Sequence, residues 1–279
     1  MPRPRLKSRL WWAACLALVA GLVGYLYWMP PMVPVMAAPS PTRLAEQAQR
    51  DYRQQHAMRA ASAPGEWQLA ALDSQSGERL RYLGRFALPL PVTDAQGGQW
   101  LLGSFSANTE ASANAGEDSF ATPGVSRLLL WQLQGGRYVL RSERQRQSGS
   151  QGMAPAVRML QLGAHAWGWV VESRYLHMGY QWAQAEFFLA AGGAILPMGQ
   201  LVTRADNRGA CVDGAVECAP PTDLQAQWRL AARPGLPFYP LEVEWSGMLN
   251  GQRIARHLSL LPERHSRRYP FPEALNVSF

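Results

Sequence analysis

Residues 11–28, WWAACLALVAGLVGYLYW, form an uncharged apolar run that restricts the fate of the chain more than any other stretch. At about 1.5 Å of rise per residue they make roughly 27 Å of helix, close to the hydrocarbon thickness of a bilayer. Arg3, Arg5, Lys7 and Arg9 precede the run with no acidic residue among the first ten, and no charge falls between Trp28 and Thr42. The positive-inside rule therefore leaves residues 1–10 as a basic cytoplasmic tail and sends the remainder outward.

Two readings of the run compete. As a retained signal-anchor it gives a single-pass protein of the inner (cytoplasmic) membrane, with its C-terminal domain in the periplasm. As a signal peptide it would be cleaved after Ala37, where Val35-Met36-Ala37 is an acceptable small-residue site, releasing the protein to the periplasm. Its length exceeds the usual secretory apolar core of about 7–15 residues. Trp11, Trp12, Tyr25, Tyr27 and Trp28 flank it as interfacial residues do, and both features favour the anchor.

The net charge of +7 belongs largely to this signal, since the first ten residues carry four positive charges and leave +3 on the other 269. The basic balance is then a weak argument for an anionic partner, and nucleic acid is excluded as an expected partner by compartment as well. The expected partners are the inner membrane and, outside it, envelope proteins or glycan. With 47% hydrophobic and 17% charged residues, the exported part has the composition of a chain that buries a core. Cys211 and Cys218, separated by six residues in an oxidising compartment, are expected to form a disulfide; no second Cys or His pair completes a metal site.

Residues 29–64 read as a Pro-rich spacer followed by a helical stalk over Thr42–Ala60, with Ser40 as N-cap and Pro41 at the first helical position. Its apolar stripe of Leu44, Ala45, Ala48, Tyr52, His56 and Ala60 is thin. From Gly65 the hydrophobic period becomes two. Asn250-Gly251 is a strong two-residue hairpin signal, and pairing outward from it sets Trp245 against Arg256, Val243 against Leu258 and Leu241 against Leu260 on one face. Glu242 and Glu244 fall on the other. Gly135-Gly136, Gly192-Gly193 and Asp73–Gly77 mark further hairpins, with Pro197 implying an edge or bulge. Ser104–Gly124 reads as a long disordered loop. The expected fold is mainly β: a single antiparallel β-sandwich or barrel-like exported domain over 65–279, preceded by one transmembrane helix and the short helical stalk.

The stretch most suggestive of a site is His165–Tyr180, HAWGWVVESRYLHMGY. On a strand, His165, Trp167, Trp169 and Tyr175 share a face while Glu172 and Arg174 share the other, so no local His–Glu acid–base pair forms. His165 and His177 would stand about 40 Å apart at about 3.3 Å per residue and cannot meet at one metal. Trp167 and Trp169, about 6.6 Å apart, offer a stacking surface for sugar rings, with core packing as the alternative. His165, Trp167, Trp169 and Tyr175 are therefore the candidate ligand-binding residues. The Arg264–Arg268 cluster and the trio Arg141, Arg144, Arg146 are solvated faces or contacts for anionic surfaces.

The chain lacks G-x-S-x-G, S-x-x-K, H-E-x-x-H and the phosphate-cradling glycine motifs. No catalytic residue, metal site or cofactor is expected. The function expected is a non-enzymatic binding or scaffolding role in the cell envelope; the alternative is an envelope hydrolase or wall-modifying enzyme whose site is assembled from distant residues.

Overall fold

A computed structural model describes residues 40–72, 77–113, 118–210 and 220–273. The apolar run at 11–28, the cleavage site and the Cys211–Cys218 disulfide lie outside the described residues. No helix among the described residues is long and apolar enough to cross a membrane.

The protein is mainly β, with two antiparallel seven-stranded sheets. The first runs β1 (Arg59–Ala60), β2 (Glu66–Leu72), β3 (Arg79–Phe86), β5 (Gln99–Thr109), β6 (Gly124–Gln134), β7 (Arg137–Ser148), with β4 (Leu90–Thr93) added beside β5. The second is β14 (Gln252–Leu260), β13 (Leu241–Leu249), β12 (Asp223–Leu230), β11 (Ala194–Asp206), β10 (Tyr180–Ala191), β9 (Trp167–His177), β8 (Ala156–Gln161).

Period-two alternation assigns each face of the first sheet. Along β6, Val125, Leu129 and Trp131 enter one core with Leu101, Phe105 and Ala107 of β5. Leu128 and Leu130 enter a second core with Trp169, Val171, Phe188 and Ile195, all from the other sheet. Both faces of β6 are thus covered, which accounts for its nearly continuous apolar sequence. The first core is closed by α1 (Pro41–Gln55), whose Ala45, Ala48 and Tyr52 are buried in it. The Ser40 hydroxyl accepts from the Arg43 amide at 3.4 Å, as expected of an N-cap. The segment read as a stalk is therefore docked on the first sheet. The stripe is thin because part of the docking face is polar.

In the second sheet β11 and β12 share only three residue pairs, Arg204/Gln225, Ala205/Leu224 and Asp206/Asp223. Beyond them β12 swings away, and its Trp228 meets Phe187 of β10 edge-to-face with ring centroids 5.0 Å apart. Arg158 of β8 lies with its guanidinium carbon 5.1 Å from the same indole. Four strand steps separate β8 from β12, roughly 19 Å in a flat sheet at about 4.8 Å per step, so this sheet is rolled. A third core fills the roll: Val170, Phe187, Leu189 and Leu201 face Leu241, Val243 and Trp245, with Tyr269 of the C-terminal segment packed alongside.

The hairpin registers follow the turn chemistry. Asn250 and Gly251 have φ of 49° and 79°, the two positive values a type I′ turn needs. The ladder pairs Trp245 with Arg256, Val243 with Leu258 and Leu241 with Leu260. Gly192-Gly193 closes β10 and β11, and Pro197 sits at a register shift next to Phe187/Phe188, inside a central strand that tolerates it by bulging. Ser104–Thr109, expected as loop, continues β5 and pairs with β3 and β6. Its Phe105 and Ala107 are core residues; the intervening small polar residues hid the strand. A turn at Met178-Gly179 (φ 47° and 80°) joins β9 to β10 without the Asn or Asp that usually announces it. A Cβ on Gly179 would fall 2.0 Å from the Gly209 carbonyl oxygen, so that position admits only glycine.

Candidate functional site

The rolled sheet, the junction of the two sheets and the docking face of α1 each gather polar side chains. Trp169, by contrast, is withdrawn from any surface. It is fully buried between the sheets, and its indole N–H donates to the Gly103 carbonyl at 3.0 Å. The shared strand face of Trp167 and Trp169 points into the inter-sheet core, so the two rings form no exposed platform.

Trp167 lies half-buried at the end of that core and borders a cleft of about 640 Å³ with His165, Trp100, Phe238, Asp94 and Arg267. Asp94 shapes one wall: one carboxylate oxygen accepts from the Gln96 and Gly98 amides, and the other accepts from the Trp100 indole at 2.7 Å, fixing that ring. His165 is exposed at the rim. A half-apolar cleft with rigid rings and a few polar groups suits ligand binding.

Tyr175 lies elsewhere, in a groove of about 1000 Å³ at the open side of the rolled sheet. Its ring packs on Trp182 with centroids 5.0 Å apart. The same groove is lined by Arg158 of β8 and Glu172 of β9 and, from β12, by Gln225, Gln227 and Trp228. Arg158 is paired with Glu172 at 3.2 Å. At one end Arg204 and Arg208 clasp Asp206, each at 2.8 Å, and both also approach Asp223. The hydrogen bond from Arg208 is the main reason the Asp206 carboxyl titrates at about 2, burial opposing it.

Under α1, Tyr52 donates to Glu143 Oε1 at 2.9 Å and accepts from Arg127 Nη1 at 2.9 Å. The same Arg127 nitrogen lies 3.1 Å from His56 Nδ1, while His56 Nε2 is 3.3 Å from Glu143 Oε2. A guanidinium can only donate, so Nδ1 accepts and the proton of the neutral imidazole falls on Nε2, which lies near Glu143 without a hydrogen bond to it. Burial lowers the His56 pKa; Glu143 works against this and Arg127 with it. Burial likewise holds the Tyr52 phenol well above its ordinary range. Sequence reasoning missed this cluster, although one signal was available: Arg127 stands alone in the apolar run of β6, and a buried arginine requires a partner.

The arginines of β7 divide by parity. Arg141 is exposed. Arg144 donates to the Ile195 carbonyl at 3.4 Å and covers Phe188, and Arg146 binds both oxygens of Glu186 at 2.8 and 2.6 Å. Arg144 and Arg146 therefore join the two sheets and form no surface patch. Arg264, His265, Arg267 and Arg268 are exposed.

The histidines and glutamate that would have to converge in an assembled catalytic site are dispersed. His165 is at the inter-sheet cleft and Glu172 in the groove. His177 ends β9 beside Phe120, and His257 is exposed on β14 opposite Glu244. Among the described residues no three His, Cys, Asp or Glu side chains are grouped to hold a metal ion. Comparison with protein-family models, with curated proteins and with solved structures returns no match for this chain.

Proposed function

We propose that this is a membrane-anchored envelope protein whose β-rich part, a sandwich of two sheets with the second rolled on itself, performs a non-enzymatic binding or scaffolding role. The run at 11–28 holds it in the inner membrane with the N-terminus in the cytoplasm, and the domain works in the periplasm. The observation that carries the binding reading is the dispersal of His165, Glu172, His177 and His257 over separate surfaces, while two concavities combine ordered aromatic rings with polar groups. General acid–base chemistry needs its groups within hydrogen-bond reach of one reacting centre; binding needs only the concavity. The closest acid–base cluster, His56 with Glu143, is engaged in holding α1.

The test uses the full chain in a bacterial host. Membrane fractionation should place it intact in the inner membrane, with its C-terminal domain open to protease once the outer membrane is permeabilised. Envelope polymers incubated with the purified chain should be retained by it and recovered unchanged in mass. Cleaved or modified polymer would favour the wall-modifying enzyme.

A further inference from the structure

We infer that the groove at the open side of the rolled sheet binds an extended, uncharged glycan chain; this rests on the binding reading above and names its ligand class. The roll produces the groove. Because β12 leaves β11 after three residue pairs, the far ends of β8, β9 and β10 face β12 across a gap that no strand fills. The resulting volume, about 1000 Å³, is at the upper end of small-ligand pockets and leaves room for several linked rings.

The chemistry of the wall selects among extended ligands. Its charges are largely compensated within the protein: Arg158 by Glu172, and Arg204 by Asp206 and Asp223. Arg174 carries the one uncompensated charge among the described residues that line the groove. The groups left to meet a ligand are amides and rings. Gln225 and Gln227 stand exposed on β12, and Tyr175 with Trp182 presents an aromatic pair on β9 and β10. Side-chain amides match hydroxyl and acetamido groups, which both donate and accept. Aromatic faces match the apolar faces of pyranose rings. An anionic polymer would find little net positive charge here.

The experiment measures binding of a fluorescent β-1,4-linked N-acetylglucosamine hexamer to the full chain, by anisotropy, in a sugar-free detergent. A sulfated hexamer of equal length and an alternating Val–Thr decapeptide serve as competitors. The hexamer should bind with an affinity that changes less than twofold between low and high salt, and neither competitor should displace it. Gln225→Ala with Gln227→Ala, both at exposed positions, should weaken binding about tenfold. Tyr175→Ala should act similarly, with unchanged far-UV circular dichroism verifying the fold. His165→Ala, at the other cleft, should leave affinity unchanged. Loss of binding only on His165→Ala would move the glycan to the inter-sheet cleft, overturning this assignment while leaving the binding function standing. Failure of the hexamer to bind, or displacement by the sulfated chain or the peptide, would overturn the ligand class.

Discussion

The hydroxyl of Tyr52 in α1 donates to the carboxylate of Glu143 in β7 at 2.9 Å, joining residues 91 apart in the chain. This bond and the Arg127 guanidinium beside it turn a helix with a thin apolar stripe into a fixed part of the first sheet. Tyr52→Phe keeps the ring in the core and deletes only the hydroxyl, which should cost about 1–2 kcal/mol. Arg127→Leu leaves Glu143 without its cation under the helix and should cost about 3 kcal/mol. Urea denaturation of the full chain measures both; equal, negligible effects would mean that α1 is held by its apolar packing rather than by these polar contacts.

His56 makes the same contact sensitive to acid. Its pKa is lowered in the folded protein from an ordinary 6.5, chiefly by burial. The folded state therefore holds fewer protons than the unfolded state, and the stability linked to His56 is present above about pH 6.5 and lost as pH falls through its folded pKa. Wild-type stability should decline between pH 7 and 5, and His56→Gln should flatten that decline. The check is the urea midpoint at three pH values for both proteins. An identical slope in the variant would assign the decline to other groups.

Arg146 and Glu186 form an ion pair between the sheets, with Glu186 only 7% exposed. Arg146→Leu alone strands a buried carboxylate and should cost about 3 kcal/mol. Combining it with Glu186→Leu should restore most of that loss, because the desolvation penalty disappears with the pair. A double-mutant cycle followed by thermal unfolding gives the coupling; additive losses would show that the pair contributes independently of its charge.

Trp245 is 2% exposed in the core of the roll, whereas its neighbour Glu244 is exposed. Trp245→Ala should therefore cost about 3–5 kcal/mol, and Glu244→Ala less than about 0.5 kcal/mol. Gly251→Val should destabilise through its φ of 79° rather than through lost packing. Chemical denaturation ranks the three, and a larger loss at Glu244 than at Trp245 would contradict the ladder.

These residues also mark what a sequence can and cannot disclose. The Asn250-Gly251 hairpin was legible because its turn chemistry and its alternation are local and agree on one register. Met178-Gly179 was not, since the turn places a methionine at positive φ and the need for glycine at 179 comes from a carbonyl distant in sequence. Glu242, expected to face water, is partly covered and paired with Arg229, a neighbour visible only once β12 and β13 are aligned. The candidate site fared similarly. His165, Trp167 and Tyr175 do border concavities, but Trp169, assigned to the same strand face, is core, because that face meets another sheet. The grooves themselves depend on a three-pair junction and on rolling, which have no local signature.

The position of α1 also has a mechanical meaning. It is the first described element after residues 1–39, so tension applied along the N-terminal chain enters the β-sheets through this helix. The load falls first on the packing of Ala45 and Ala48 and then on the polar contacts around Tyr52, before any strand ladder is stretched. Freeing the helix would break those contacts and withdraw Ala45, Ala48 and Tyr52 from the first core while the strand ladders stayed whole, so the yield point of the chain is set where polar contacts and apolar packing meet under α1.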